Sequence, residues 1–170
     1  MTNNKQLMEE ADETFVRLFE LNFMSSLRLS RAYLPAMLKK NWGRIVFSGS
    51  ISALSGRVSG AYPITKIAQL HLARSLAEYT RGTAVTVNTV MIGATHTPTS
   101  DKMVADKAVE KGLTIPETER WFLQQIHPLI DRIADAEEVA NLVVYLSTPL
   151  ASATNGAVMS ADGGAQETIL

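Results

Sequence analysis

Apolar residues of the first long segment recur at three- and four-residue steps, which is the period of an amphipathic helix. The pattern predicts one helix over residues 12–39, with Asp12 capping its start. Its apolar positions are Phe15, Leu18, Phe19, Phe23, Leu27, Tyr33, Leu34, Met37 and Leu38. Pro35 has no N–H group to bond the carbonyl of Arg31, so a kink or an irregular last turn is expected there.

Three short β-type runs alternate with the helical segments. Gly43 is expected to break the chain before the first run, at residues 44–48, which leads into a loop rich in Ser and Gly. The second run, at residues 85–91, is predicted to end at Gly93. The third run, at residues 156–161, is followed by an Asp-Gly-Gly turn. The first run is therefore predicted to be a buried strand, and the other two are predicted to be strands as well.

The helices between these strands have recognisable ends. Residues 61–80 predict a helix with Gly82 in its C′ position. Two capping-box pairs predict helices that start near Ile115 and Ala136, and residues 95–112 form the most polar stretch. The two pairs are Thr114 with Glu117, and Asp135 with Glu138.

Strands separated by helices favour parallel pairing through right-handed crossovers. The predicted fold class is α/β: a partial doubly wound, Rossmann-like parallel sheet of about three strands with flanking helices. Residues 1–170 are interpreted as a single incomplete domain of this kind, holding the catalytic and substrate-binding part, because three strands are few for a sheet covered on both faces.

Composition excludes several classes of protein. Sixteen basic and seventeen acidic residues give a net charge of -1, which makes nucleic acid and anionic membranes unexpected partners. The sequence has no cysteine, and its three histidines lack the spacing of metal ligands, so no metal site is predicted. Without a membrane-length apolar run or a basic leader, the chain is expected to be cytoplasmic.

Tyr62 and Lys66 stand four residues apart on one face of the second predicted helix, near its start. A free tyrosine has a pKa near 10, so a phenol works as an acid or base at neutral pH only where its anion is stabilised. The Lys66 ammonium and the positive end of the helix would provide that stabilisation. The alternative is an ordinary surface pair, because roughly one tyrosine in ten would have a basic residue at that distance by chance.

Serines and an asparagine extend this constellation. Ser48, Ser50 and Ser52 lie where the first strand ends, the edge at which open α/β sheets bind ligands, although serine is also an ordinary turn residue. Asn22 falls on the apolar side of the first helix, where an amide must be hydrogen-bonded. Its amide either bonds backbone carbonyls in the core or holds a water molecule.

Together these residues resemble the short-chain dehydrogenase/reductase family. The resemblance rests on six segments in the family's order, which together cover nearly all of residues 12–165. They are Leu21-Asn22-Phe23, the strand and loop 43–50, the YPITK segment 62–66, Val87-Asn88-Thr89-Val90, the loop 93–98 and Asp162-Gly163-Gly164.

The resemblance implies an oxidoreductase that exchanges a hydride between NAD or NADP and a carbonyl or alcohol carbon. Tyr62 would be the general acid/base, Lys66 would bind the nicotinamide ribose, and Ser50 would polarise the substrate oxygen. Asn22 would hold a water molecule of a proton relay, and Thr97, which follows Gly93, would contact the cofactor's carboxamide. Asn88 is expected to be structural.

This sequence also departs from the family pattern. The 170 residues contain none of the family's Gly-rich phosphate turn, acidic or basic ribose selector, or Asn-Ala-Gly strand, so they resemble the carboxyl-terminal part of such an enzyme. Cofactor binding and turnover by these residues alone are therefore not expected. Ser50 precedes Tyr62 by twelve residues, one fewer than usual, which leaves another serine open for its role. Ile92 stands where the family commonly has a proline before the glycine that corresponds to Gly93.

Two functions remain open at this point. One is the oxidoreductase, with a small carbonyl or alcohol substrate and a homo-oligomer formed through the first two helices. The other is a non-catalytic fragment or a dimerising partner of full-length relatives. Residues 99–127 correspond to the variable substrate-binding region and suggest a lid around Trp121 and Phe122, which leaves the substrate unidentified.

Overall fold

Three parallel strands form the centre of the structure, a computed structural model that describes residues 5–56 and 58–167. They are β1 (Gly43–Ser50), β2 (Val85–Ile92) and β3 (Val158–Ala161), and they lie side by side in that order. The register places Ser50 beside Ile92 and Ile92 beside Ala161, so all three strands end at one edge of the sheet. The predicted parallel α/β sheet is confirmed.

Seven α-helices surround this sheet among the described residues. They are α1 (Lys5–Glu9), α2 (Asp12–Leu18), α3 (Ser25–Lys40), α4 (Ala61–Tyr79), α5 (Pro98–Lys111), α6 (Ile115–Ile126) and α7 (Ala136–Ser147). Short 3₁₀ turns follow β1 at Ile51–Leu54 and α7 at Pro149–Ala151. None of the helices in the described ranges has the length and apolar character needed to cross a membrane.

The core has two parts, one on each face of the sheet. On one face, Phe47 and Val87 pack against Ala73 and Ala77 of α4. On the other face, Val90 belongs to a second cluster with apolar residues of α7. Because Val87 and Val90 are three positions apart in an extended strand, they point to opposite faces. Helices therefore cover both faces of the central strand, and seven of the eight residues of β2 are buried.

The first long helix has its irregularity at a different place from the one predicted. A π-helical segment, Phe19–Met24, joins α2 to α3 without a break in the helical chain. By contrast, α3 continues through Pro35 to Lys40, so the predicted irregular last turn is absent, while a kink at Pro35 stays a prediction. Arg31 and Pro35 are both exposed, so water can bond the carbonyl that the proline leaves without its usual donor.

Several predicted helix ends also need correction. Asp12 is the first residue of α2 and not its cap; the cap position is Ala11, which makes no side-chain capping bond. Gly43 does not interrupt the regular structure before the strand but is the first residue of β1. A Cβ atom at this position would lie 2.6 Å from the Met37 side chain. The helical chain ends instead at Asn41, in a left-handed conformation with φ of 48°. Gly82 lies two residues past the cap of α4, Thr80, and so beyond the C′ position.

The polar stretch at residues 95–112 contains a helix, α5, that the apolar pattern did not indicate. Only Val104 and Ala108 of this helix are buried, so its stripe is too narrow to produce a clear period in the sequence. The two predicted capping boxes are confirmed: Thr114 with Glu117 starts α6, and Asp135 with Glu138 starts α7.

Candidate active site

The amino-terminal half of α4 carries the predicted acid/base pair. The preceding residue, Gly60, has a φ of 108° and no side chain with which to cap the helix. Instead, Glu10 reaches across from the segment before α2 and accepts a hydrogen bond of 2.7 Å from the N–H of Ala61. A carboxylate at this end is favoured by the partial positive charge of the helix terminus. This contact holds the first turn of α4, in which Tyr62 lies.

Lys66 is buried and tied to the end of β1. Its side chain is 9% exposed, and its Nζ atom donates hydrogen bonds to the carbonyl of Ser48 at 2.8 Å and to Oε1 of Gln69 at 3.3 Å. Burial lowers the pKa of the Lys66 ammonium from its ordinary value of 10.5. Since an ammonium has three N–H donors, a third is available beyond these two contacts.

Tyr62 is far more accessible than its neighbour. The residue is 43% exposed, and the Lys66 Nζ atom lies 5.8 Å from the centroid of its ring. The predicted pair is therefore an exposed phenol beside a buried cation. An external molecule can reach the Tyr62 side chain while the Lys66 ammonium stays buried, and the acid/base role of Tyr62 stays a prediction.

Asn22 lies in the π-helical segment and contacts α4 at two places. Its Nδ2 atom donates to Oγ1 of Thr65 at 2.9 Å, and the Thr65 hydroxyl donates to the carbonyl of Tyr62 at 2.8 Å. Its own carbonyl accepts hydrogen bonds from the side chains of Ser26 and Gln69. Asn22 thus reaches the backbone of Tyr62 through one buried threonine. The predicted water at Asn22 stays a prediction.

Two serine hydroxyls meet at the end of β1. The Oγ atoms of Ser50 and Ser52 are 2.8 Å apart, and Ser50 also accepts a hydrogen bond from the backbone N–H of Ser52. Ser50 is the last residue of β1, two positions after the Ser48 carbonyl that binds Lys66. Both hydroxyls therefore follow, at the end of β1, the carbonyl that binds Lys66, and the choice between the two serines stays open.

The predicted cofactor loop follows β2. Gly93 packs so closely on the backbone of Asp162 that a Cβ atom there would lie 2.6 Å from the Asp162 Cα atom. Thr97 caps α5: its Oγ1 atom accepts from the N–H of Ser100 at 3.1 Å. Thr97 therefore has a structural role at the start of α5, and its contact with the cofactor stays a prediction.

Asn88 has the structural role expected for it. Its Nδ2 atom donates to the carbonyl of Thr154 at 2.8 Å, and its Oδ1 atom accepts from the N–H of Ala157 at 3.0 Å. The side chain is 1% exposed, so both halves of the amide are satisfied inside the protein. It fastens the segment before β3 to β2.

The predicted lid consists of α5 and α6. Trp121 and Phe122 pack edge to face with ring centroids 4.9 Å apart, and the Lys111 ammonium lies 4.4 Å from the Trp121 ring. A cleft of about 980 Å³ runs along α6, with Arg120 and Arg132 among its lining residues. Its lining includes none of Asn22, Ser50, Tyr62 and Lys66, so the acid/base pair lies outside this cleft. Within the described ranges, no three acidic or histidine side chains form a metal site.

Comparisons with known proteins agree with this geometry. The family profile described as enoyl-(acyl carrier protein) reductase matches residues 1–166. The uncharacterized oxidoreductase YvaG of Bacillus subtilis is 42% identical over 96% of this chain. The chain belongs to the short-chain dehydrogenase/reductase family. Its likeness to oxidoreductases favours the enzyme over the non-catalytic alternative.

Solved structures of similar proteins have the same fold. L-sorbose reductase from Gluconobacter frateurii, determined in complex with NADPH and L-sorbose, superposes with a TM-score of 0.89 at 28% identity and covers 99% of this chain. A short chain dehydrogenase family protein from Francisella tularensis gives a TM-score of 0.78 at 26% identity over 93% of the chain. The chain spans about two thirds of the length of these relatives: 66% of YvaG and 64% of L-sorbose reductase.

Three residues without a predicted role support the site. Thr65 and Gln69 connect the predicted site residues of α4 to Asn22, and Glu10 caps that helix. Thr65 is a polar residue three positions after Tyr62, and Gln69 is one three positions after Lys66, which is a signal the sequence contains. The partner of Ala61 has no such signal, because Glu10 is 51 residues away.

Proposed function

We propose that this chain provides the catalytic part of an NAD- or NADP-dependent oxidoreductase acting on a small carbonyl or alcohol substrate. One observation carries the proposal: the exposed phenol of Tyr62 stands beside the buried ammonium of Lys66, which a 2.8 Å hydrogen bond anchors to Ser48. This arrangement holds a cation next to a proton-exchanging group at the edge where parallel sheets bind ligands.

The donor set of this site suits a nicotinamide nucleotide. The remaining N–H of Lys66 can bond a ribose hydroxyl, and the loop that starts at Gly93 lies at the same edge of the sheet. The bound nucleotide would supply or accept the hydride. L-sorbose reductase binds NADPH. The choice between NAD and NADP in this protein depends on the residues that contact the 2′-position of the adenosine ribose.

In the direction of reduction, Tyr62 gives its hydroxyl proton to the substrate oxygen while the carbonyl carbon receives the hydride. Ser50 donates a hydrogen bond to the same oxygen, with Ser52 as the alternative donor. Lys66 stabilises the phenolate left behind, and Asn22 holds the backbone of Tyr62 through Thr65. In the direction of oxidation the proton returns to Tyr62, so the product and substrate differ by one hydride and one proton.

A homo-oligomer is part of this proposal. Large apolar side chains of the first helical segment are exposed: Val16, Leu21, Leu29 and Tyr33. Ile64 and Ile67 are exposed on α4, which packs against that segment. Apolar side chains on two neighbouring helices form a surface that a second copy of the chain can cover.

The test is hydride transfer in a chimera in which this chain replaces the matched segment of YvaG. NADH and NADPH are supplied with a panel of aldehydes and ketones, and nicotinamide absorbance is followed. Tyr62→Phe should lower turnover by about 10²-fold or more while leaving cofactor affinity nearly unchanged, because only the proton-donating hydroxyl is removed. Tyr79→Phe, at an exposed tyrosine of the same helix, is the matched control. A folded, cofactor-binding chimera whose activity survives Tyr62→Phe would refute the proposal.

A further inference from the structure

Gln69 is a buried amide three residues after Lys66 on the same helix. The residue is 6% exposed, and a polar group so deeply placed is costly unless it is hydrogen-bonded. Its Oε1 atom accepts from Lys66 Nζ at 3.3 Å, and its Nε2 atom donates to the Asn22 carbonyl at 3.1 Å and to Ser26 Oγ at 2.8 Å. Both ends of the amide are therefore engaged.

These contacts join α4 to the π-helical segment. The Asn22 carbonyl accepts from both Gln69 and Ser26, at 3.1 and 2.7 Å. The Ser26 hydroxyl also accepts a hydrogen bond from Gln69. The Gln69 amide, the Ser26 hydroxyl and the Asn22 carbonyl therefore form a closed ring of hydrogen bonds. A carbonyl inside a regular helix is committed to the N–H four residues on, and π-helical turns loosen that pattern. The Asn22 carbonyl lies in this π-helical segment and accepts both side-chain donors.

We propose that Gln69 is a positioning residue that holds the Lys66 ammonium between the Ser48 carbonyl and the π-helical segment. The orientation of its amide follows from its neighbours. A reversed amide would set an NH₂ group against the ammonium and an oxygen against the Asn22 carbonyl, and both contacts would be repulsive. An amide neither gains nor loses a proton at neutral pH, so Gln69 fixes Lys66 and does not relay protons.

The importance of this position for catalysis rests on the proposed function. A lysine stem has four rotatable bonds, and burial alone does not select one position for its ammonium. Ser48 and Gln69 together restrict it to the side of α4 on which Tyr62 lies, with the ring centroid 5.8 Å away. Without Gln69, the Ser48 carbonyl would be the one acceptor left to the cation among the described residues.

The experiment is a pH titration of Lys66 by NMR in the 170-residue chain, with ¹³C-labelled lysine and assignment by Lys66→Arg. Gln69→Leu removes the acceptor, and the pKa of Lys66 should fall by about one pH unit, because a hydrogen bond to the charged form is lost. Gln69→Glu puts a carboxylate next to the ammonium and should raise that pKa. Gln125→Leu, at an exposed glutamine of α6, is the control and should leave it unchanged.

Opposite shifts in the two variants would support the proposal, because a general loss of packing would not change sign with the charge at this position. An unchanged Lys66 titration in folded Gln69→Glu would overturn it, even if Gln69→Leu does not fold. The titration needs no cofactor or substrate. A chimera without hydride transfer would therefore refute the proposed function and leave the Gln69 result standing.

Discussion

Lys66 donates a 2.8 Å hydrogen bond to the carbonyl of Ser48, and this contact joins the helix that carries Tyr62 to the strand that ends in Ser50. Lys66→Met should weaken cofactor binding and lower turnover of the chimera by roughly 10²-fold, because one ammonium serves both. Lys39→Met, at an exposed lysine of α3, is the control. Binding isotherms and initial rates measure the two effects, and a variant that loses only one of them would contradict the double role.

Glu10 should stabilise the start of α4. Glu10→Ala removes the carboxylate that accepts from the N–H of Ala61, and loss of such a cap costs about 1 kcal/mol. The expected fall in melting temperature is about 2–4 °C for a chain of this length. Glu9→Ala, at an exposed neighbouring position, is the control. Equal melting temperatures for the two variants would show that the cap adds nothing.

The exposed apolar face of the first helical segment should mediate self-association. Light scattering at micromolar concentration should give a mass above the 18.5 kDa of one chain. The double variant Leu29→Glu/Tyr33→Glu places two charges on that face, and its mass by light scattering should be that of one chain. Leu150→Glu is the control at an exposed leucine outside these helices. A strictly monomeric wild-type protein would exclude this interface.

Glu138 should give stability that depends on pH. The Arg132 guanidinium holds the pKa of Glu138 at about 2, below its ordinary value of 4.5. A carboxylate with a lowered folded-state pKa stabilises the fold fully above the unfolded value, and this stabilisation is lost as pH falls toward the folded value. The urea midpoint of Glu138→Gln should thus lie below that of the wild type at neutral pH, and the gap should narrow between about pH 4.5 and pH 2. A gap that stays the same across this pH range would contradict the prediction.

The 170 residues by themselves should bind neither NADH nor NADPH at micromolar concentration. Pyrophosphate affinity in this architecture comes from backbone N–H groups in a Gly-rich turn between a strand and a helix, and the sequence contains no such turn. Isothermal titration calorimetry measures this, with the chimera as the positive control. Micromolar binding by the chain alone would contradict the prediction and mean that other residues of the chain bind the pyrophosphate.

Local patterns in the sequence were enough for most of the fold. The period of apolar residues placed the long helices, and β-branched runs placed the three strands, because both signals come from neighbouring residues that share one face. The pairs Thr114 with Glu117 and Asp135 with Glu138 marked helix starts correctly for the same reason. Tyr62 and Lys66 could be paired because one helical turn separates them.

Contacts between distant residues were decided only by the tertiary structure. The π-helical segment has no sequence signal of its own; its Asn22 carbonyl is bonded by Gln69, which is 47 positions away. Pro35 lies inside α3 without ending it, and the exposure of Arg31 lets water bond the carbonyl that lacks its helical donor. Ser48 holds Lys66 through a backbone carbonyl, a group that every residue carries and no pattern distinguishes. Such bonds depend on which surfaces the packed core brings together. Asn22, Tyr62 and Lys66 could therefore be predicted from the sequence, whereas the contacts that hold them are seen only in the tertiary structure.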